Sequence, residues 1–247
     1  MTAIKSPGFT SGLEIESIPS LVNYLAGQIE KLGVEIEKRT EFDAAWIDRA
    51  APDVAVIATG GIPTTPRLKG IEGRNVMKSA DLHGRLKFFS RFFGPATLRW
   101  LTKFWMPVGR RVVILGGQVA ACQLGEFLVK RGRKVTIVEE GDVLGEGLIL
   151  ERKNRLFSWF RKKGVATMTG VHFDEVTPSG LMVTTKEGKR LLLEADTVIP
   201  ALPMQPDTSI AETIKGKVPE VFLIGDCREP RLIPDAVADG WRVGNTI

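Results

Sequence analysis

The sequence has few of the residues that build disulfide frameworks and metal centres. Its 247 residues include only two cysteines, Cys122 and Cys227, which do not form a C-x-x-C pair. A disulfide framework is therefore not expected. The two histidines, His83 and His172, lie far apart in the chain, which argues against a zinc site. No catalytic residue and no metal ligand is predicted, and a reducing cytoplasm is the expected compartment.

Long hydrophobic runs are also missing. No segment reaches the roughly 18 to 20 apolar residues that a transmembrane helix needs, and the first residues, MTAIKSPGFTSG, show no apolar core of a signal peptide. The 43% hydrophobic and 26% charged residues are ordinary for a globular protein of one large or two modest domains. The net charge of +5 favours phosphate-bearing ligands or anionic surfaces.

What is present is an alternation of helical and strand patterns, which predicts an α/β fold. Apolar spacing, caps and glycine turns give the first half its elements: a helix over 19–33, an alternating strand over 34–38, a short helix in EFDAAWIDRAA and a buried strand in 52–61. The second half adds a basic amphipathic helix over 151–164 and an antiparallel meander of the strands between 164 and 201. A buried strand over 218–227 and a closing helix after Pro230 follow.

Residues 82–109 are unusual because aromatic and basic side chains alternate there without any acid. A basic helix with Trp and Phe suits a membrane surface or a partner protein. The simpler interpretation, which we favour, is a linker whose aromatic residues pack on the neighbouring domains. Nucleic acid is not an expected partner.

The stretch RRVVILGGQVAACQLGEFLVKRGRKVTIVEE, residues 110–140, carries the most specific signal. It predicts a strand, a glycine turn, a helix and a second strand that ends in an acid. In a dinucleotide-binding βαβ unit the turn lets the backbone approach the diphosphate, the helix N-terminus faces it, and the acid binds the adenosine ribose. The elements in question are the strand 111–115, the turn Gly116-Gly117-Gln118-Val119-Ala120-Ala121, the helix 119–131, the strand 134–138 and Glu139.

Spacing supports this prediction, while one residue departs from the motif. Gly116 and Glu139 are 23 residues apart in the sequence, close to the ~20 that the motif requires. Gln118 stands where G-x-G-x-x-G has its middle glycine, and its side chain is expected to narrow the space for the phosphates. Its amide could instead donate a hydrogen bond to a phosphate. The acid favours NAD(H) over NADP(H), because a 2′-phosphate would face Glu139.

Several segments together resemble a known family. DVAVIATGG, the 110–140 stretch, EADTVIPALP and KVPEVFLIGDCREPRLIPDAVADGWRVG occur in one order. This order resembles the C-terminal FAD/NAD(P)-binding portion of flavin oxidoreductases related to 2,4-dienoyl-CoA reductase and trimethylamine dehydrogenase. The resemblance implies an α/β fold of the two-dinucleotide-binding-domain flavoprotein type, in which a Rossmann-like NAD(P)-binding domain is inserted into an FAD-binding domain. The expected segments are 1–64 and 198–247 for the FAD-type domain and 65–197, with the linker, for the inserted domain.

The resemblance also implies cofactor-binding residues. Thr59 and Gly60 would lie in the turn near the flavin, Gly225 and Asp226 would form the second FAD motif, and Ala201 would line the NAD(P) side. The chain lacks the family's N-terminal barrel, the iron–sulfur cysteines and the first glycine-rich FAD unit. We therefore expect a truncated piece, and we expect that this chain alone does not hold FAD tightly.

The sequence is compatible with three functions. The chain is a pyridine-nucleotide-binding module of an FAD/NAD-dependent oxidoreductase, a non-catalytic interaction fragment that keeps the fold without tight cofactor binding, or a free-standing nucleotide-binding domain for another adenosine ligand. In the first case its partner is a flavin-binding chain or a missing N-terminal portion, and it is not expected to be active alone.

Overall fold

The structure, a computed structural model, describes residues 17–78, 106 and 108–247. These residues contain α-helices and β-strands, with one short 3-10 turn at Gly225–Cys227. The helices are α1 (Ser17–Lys31), α2 (Ala44–Ala50), α3 (Val119–Val129), α4 (Leu150–Lys162), α5 (Ser209–Thr213) and α6 (Ile233–Gly244). The strands are β1 (Val54–Ile57), β2 (Arg111–Leu115), β3 (Lys134–Val138), β4 (Ala166–Met168), β5 (His172–Thr177), β6 (Gly180–Thr184), β7 (Arg190–Glu194), β8 (Thr197–Pro200) and β9 (Glu220–Leu223).

The chain divides into two compact units. The smaller unit contains Val34–Thr64 and Pro203–Ile247, and the larger contains the described residues of 17–33 and of 65–202. Parallel pairing predominates in both. None of the helices in the described part of the chain has the length and apolar character that crossing a membrane requires.

The larger unit is built on a parallel sheet with the strand order β4-β3-β2-β8. Its strands are apolar almost throughout: every residue of β8 is buried, and β2 exposes only its first residue. Such continuous apolar strands are typical of parallel sheets that are covered on both faces. The core residues around the sheet come from β2, β3 and β8 together with the inner face of α3.

Helix α3 approaches the sheet closely because it carries a glycine at the point of contact. A Cβ atom on Gly125 would lie 2.9 Å from Ile137 Cδ1 and 3.4 Å from the ring of Phe160. Phe160 and Leu156 form the buried face of α4, as the amphipathic pattern predicts. The glycine therefore lets β3, α3 and α4 pack together in one layered core.

The antiparallel meander is smaller than expected. Strands β5, β6 and β7 pair antiparallel, but β4 pairs in parallel with β3, and β8 pairs in parallel with β2. The expectation that these two strands belong to the meander is wrong. A short run does not reveal its partner strand: β8 is fully buried inside the parallel sheet, while β4 is an edge strand of that sheet whose first two residues are exposed.

In the smaller unit β1 pairs in parallel with β9. Asp43 caps α2 by accepting a hydrogen bond from Trp46 N at 2.8 Å. The strand expected at 34–38 is absent: the segment is irregular, and Val34 and Ile36 are 55% and 45% exposed. An alternating pattern forms a strand only beside a pairing partner, and no strand of the described chain pairs with this segment.

Most of the aromatic-basic segment 82–109 lies outside the described residues. Of its described residues, Met106 and Val108 are buried in the core of the larger unit.

Candidate nucleotide site

The glycine turn of the 110–140 stretch lies at a switch point of the parallel sheet. Strand β2 stands between β3 and β8, so the chain leaves β2 toward one side and returns on the other. The turns after β2 and β8 therefore diverge at the carboxyl ends of their strands. In open α/β sheets this divergence forms the crevice in which ligands bind.

Gly116 begins the turn in a conformation that favours glycine. Its φ is +106°, and a Cβ atom there would lie 2.6 Å from the carbonyl oxygen of Ala201. The N–H of Gly116 donates to Val138 O at 2.7 Å, and that of Ala201 donates to Leu115 O at 2.8 Å. The structure thus brings Ala201 against the turn.

Gln118 occupies the N-cap position of α3, and Val119 and Ala120 form the helix's first turn. The backbone at Gln118 has a φ of −75°, which any residue adopts, so this position does not need glycine for its conformation. The Gln118 side chain caps no helix N–H; its Nε2 lies 3.3 Å from Glu146 Oε2. The first N–H groups of α3 and the helix dipole are oriented to favour an anion at this end.

Glu139 lies directly against the glycine turn. Its carboxylate accepts hydrogen bonds from Gly117 N at 2.5 Å and from Gly141 N at 2.9 Å. A carboxylate has about four acceptor positions, so two bonds leave acceptors for ligand hydroxyls. A Cβ atom on Gly117 would collide with Leu144 and Glu139, and glycine is needed there for packing. These residues fit the diphosphate and adenosine ribose of a dinucleotide.

A second candidate site lies entirely within the smaller unit. Gly60 and Gly225 have φ values of +88° and +64°, and with Asp226 they line a cavity of about 280 Å³. Thr59 is exposed and does not line it. The remaining lining residues are Ala58, Ile224, Arg231, Leu232, Ile233 and Ala236.

The turn at Gly225 is held by a buried carboxylate. Asp239, on α6, is 1% exposed and accepts a hydrogen bond from Gly225 N at 3.1 Å. Arg242 Nη1 lies 3.2 Å from the same carboxylate, with Arg228 and Arg231 at 3.4 and 3.5 Å. The Gly225 N–H and then these guanidinium groups hold the pKa of Asp239 below its ordinary value, against the effect of burial.

The cavity of the smaller unit fits only part of a flavin dinucleotide. Ligand pockets usually measure about 300–1000 Å³, and this one lies just below that range. Within the described part of this unit, no strand runs through a glycine turn directly into an α-helix, because β9 leads only into the short 3-10 turn Gly225–Cys227. The polar groups at Gly225 and Asp226 suit sugar or ribityl hydroxyls, but the principal diphosphate contact is not among the residues described.

The other titratable candidates do not form a reactive centre. Both cysteines are free and buried. Burial raises the pKa of the Cys122 thiol to about 11, and His172 contacts only Glu140, at 3.2 Å, of the described carboxylates. No group of His, Cys, Asp and Glu among the described residues could hold a metal ion.

A switch-point glycine turn, a helix N-terminus and an acid after the second strand define a Rossmann-type dinucleotide-binding unit. The sequence matches the family described as pyridine nucleotide-disulphide oxidoreductase over residues 14–240. The chain belongs to this family.

Named relatives of the chain are longer enzymes. It is 29% identical to the NADH oxidase of Thermoanaerobacter brockii over 90% of this chain and 32% of that protein. It is 24% identical to the bilirubin reductase of Mediterraneibacter gnavus over 95% of this chain and 35% of that protein. The chain thus spans about a third of the length of these relatives.

The chain is also similar to part of longer proteins whose structures have been solved. A 2-naphthoyl-CoA reductase complex superposes with a TM-score of 0.81 and 28% identity, covering 98% of this chain and 34% of that one. Histamine dehydrogenase from Rhizobium sp. 4-9 superposes with a TM-score of 0.70 over 92% of this chain and 36% of that one. At 16% identity the second likeness shows the fold alone.

Sequence reasoning missed two features of these sites. The segment 141–149 packs on the glycine turn through Leu144 and Gly145, and Asp239 supports the turn at Gly225. The first has no strong sequence signal beyond its glycines. The second has no sequence signal either, because Asp239 shares the polar face of α6 with Asp235 and Arg242 and its burial depends on the fold.

Proposed function

We propose that the chain is the pyridine-nucleotide-binding module of an FAD/NAD-dependent oxidoreductase and that it binds NAD(H) at the glycine turn. The diphosphate lies over Gly116, Gly117 and the first turn of α3, and Glu139 accepts the adenosine ribose hydroxyls. Ala201 closes the other side of the crevice. The observation that carries this proposal is the Glu139 carboxylate, held 2.5 Å from Gly117 N at the switch point of the sheet.

The choice of NAD(H) over NADP(H) follows from charge. The carboxylate of Glu139 is fixed by two main-chain N–H groups, so it cannot turn away easily when a ligand enters. A 2′-phosphate on the ribose would face this negative charge, while a 2′-hydroxyl can donate to it.

The bound nicotinamide would supply hydride, which flavoproteins of this kind pass to a flavin. This chain's part is to bind and orient the dinucleotide. In the smaller unit Gly60, Gly225 and Asp226 would contact one portion of the flavin cofactor, while the rest of its site would come from a flavin-binding partner chain or a further portion of a longer protein.

The chain would correspond to the C-terminal portion of flavin oxidoreductases of the 2,4-dienoyl-CoA reductase and trimethylamine dehydrogenase type. The coverage of relatives supports this assignment, since about a third of each matches nearly all of this chain. In this proposal 65–197 is the nucleotide-binding domain, and 1–64 and 198–247 belong to the FAD-type domain.

Calorimetric titration with NADH, NADPH and ADP tests the proposal. We expect NADH to bind more tightly than NADPH. Glu139→Ala removes charged hydrogen bonds of about 1.5–3 kcal/mol, so it should weaken NADH binding roughly ten- to a hundredfold and narrow the preference over NADPH.

Glu140→Ala is the matched control, because Glu140 is adjacent in sequence and its carboxylate contacts His172 instead. It should leave NADH binding nearly unchanged. Thermal denaturation of both variants separates loss of binding from loss of the loop that Glu139 also supports. If the wild-type chain binds none of the three nucleotides, the module proposal fails and the non-catalytic interaction fragment becomes the better account.

A further inference from the structure

The segment 141–149 lies against the glycine turn and brings a carboxylate to it. Gly145 N donates to Gly117 O at 2.6 Å, and Leu144 packs on Gly117. On its other side Gly145 is backed by Phe157 of α4. The segment is therefore anchored at its middle, and Glu146, the next residue, is exposed beside the turn.

The side chain of Gln118 contacts that carboxylate. The Gln118 side-chain Nε2 is 3.3 Å from Glu146 Oε2, and Gln118 is the N-cap residue of α3. Glu146 is thus held within one side-chain length of the helix N-terminus. A free acid at this end would interact favourably with the helix dipole, and an incoming phosphate would have to compete with it.

Gln118, at the position of the motif's middle glycine, therefore affects the charge around the turn. The backbone at Gln118 tolerates any side chain, so the departure from glycine does not distort the turn. Its consequence is electrostatic, because a side chain here can hold a negative charge next to the position of the ligand's diphosphate. Like charges separated by a few ångströms at a protein surface repel appreciably.

We propose that Gln118 and Glu146 form a specificity pair, in which the Gln118 amide holds the Glu146 carboxylate where it opposes the diphosphate of an incoming nucleotide. This inference rests on the proposed function of the glycine turn. The pair lowers affinity for ligands with a diphosphate and leaves the recognition of adenosine itself unchanged.

The test compares nucleotide binding by the wild type, Glu146→Gln, Glu146→Lys and Gln118→Gly. ADP and NADH carry the diphosphate, and adenosine is the probe without it. We expect Glu146→Gln to tighten ADP and NADH binding by roughly three- to tenfold, Glu146→Lys to tighten it further, and neither to change adenosine binding. The gain should shrink as salt is raised, because exposed charges are screened.

Gln118→Gly tests the tether itself. With the amide removed, Glu146 is free to turn toward solvent, so ADP binding should tighten and a further Glu146→Gln change should add little. A coupling between the two substitutions in this double-mutant cycle is not expected from a structural effect of either one alone.

Glu194→Gln is the matched control. It removes the same charge from an exposed site, where the carboxylate pairs with Arg111 at the opposite end of β2. It should leave ADP binding unchanged. Thermal denaturation should show all variants to be folded.

The outcomes separate the two proposals. If the wild type binds ADP and Glu146→Gln behaves like Glu194→Gln, or if adenosine binding gains as much as ADP binding, the specificity pair is wrong while the nucleotide site stands. If only the variants bind ADP, the pair is supported and the wild-type chain is not an efficient nucleotide module. If no variant binds any nucleotide, both proposals are wrong.

Discussion

The carbonyl oxygen of Ala201 lies 2.6 Å from the point at which a Cβ atom on Gly116 would stand. The two residues follow neighbouring strands, β8 and β2, at the place where the sheet's connections diverge. The close approach leaves no room for a side chain, and the φ of +106° at Gly116 is itself unfavourable for other residues. This position therefore fixes the shape of the turn.

Gly116→Ala should destabilise the larger unit and abolish NADH binding. The φ of +106° lies outside the left-handed helical region and costs alanine about 1–3 kcal/mol, and forcing a methyl group against the Ala201 carbonyl adds about 1–3 kcal/mol of overpacking. Urea denaturation followed by circular dichroism measures the loss of stability, and calorimetry measures the loss of NADH binding.

Gly132→Ala measures how much a positive φ alone lowers the stability. Gly132 lies in the same unit with a φ of +74°, and a Cβ atom there would meet nothing within 4 Å. It should cost only about 1–2 kcal/mol and should leave NADH binding intact. Equal losses in the two variants would show that contact with Ala201 contributes nothing.

The βαβ unit could be predicted well because local signals agree in it. The strands at 111–115 and 134–138 have the predicted bounds, and the helix after Gln118 ends two residues earlier than predicted, at Val129. Apolar strands, turn glycines and a helix of suitable length all specify the same arrangement. The acid at Glu139 was predicted from spacing, but its contact with Gly117 depends on the fold of the turn.

Asp239→Asn should lower stability at neutral pH, and the loss should disappear in acid. Its folded-state pKa is held below the ordinary value of about 3.9, first by Gly225 N–H and then by its arginine neighbours. The contribution of this carboxylate is therefore present above about pH 3.9 and is lost as the pH falls through the lower, folded-state pKa. Urea denaturation at several pH values should show the difference between wild type and variant closing below about pH 4.

Asp48→Asn serves as the comparison for Asp239. Asp48 belongs to the same unit, and its side chain is 61% exposed beside Lys217, so its removal should change stability little at any pH. A constant difference between Asp239→Asn and the wild type across the acid range would contradict the role given to the Gly225 and arginine contacts.

Some elements of the fold could not be predicted from the sequence because the segments they pair with lie far away in the chain. The alternation of VEIEK suits a strand, but pairing decides whether a strand forms, and Val34 remains exposed. Strand β4 was assigned to the wrong sheet because a run of three residues does not indicate which strand it pairs with. The contact of Glu146 with Gln118, 28 residues apart, arises only when the 141–149 segment folds back.

The native protein should not react with thiol reagents at either cysteine. Cys122 and Cys227 are fully buried, and burial raises the pKa of the Cys122 thiol to about 11. Ellman's reagent at pH 8 should label neither cysteine in the native chain and both in urea. Ser179→Cys, in an exposed turn, should react at once and serves as the positive control. Rapid labelling of a native cysteine would show that its core opens readily.

The purified chain should carry no bound flavin and should retain added FAD poorly. The cavity at Gly60 and Gly225 measures about 280 Å³, and the described part of the smaller unit has no glycine turn that leads directly into an α-helix and could bind the diphosphate. Asp226 can accept a hydrogen bond from a sugar or ribityl hydroxyl, but one charged hydrogen bond of about 1.5–3 kcal/mol does not offset the cost of binding and ordering a large cofactor. Gel filtration after incubation with FAD should therefore leave the flavin in the small-molecule fraction, while circular dichroism of the same sample shows that the chain is folded. Stoichiometric FAD eluting with the protein would contradict this expectation and would mean that this chain contains a complete flavin site.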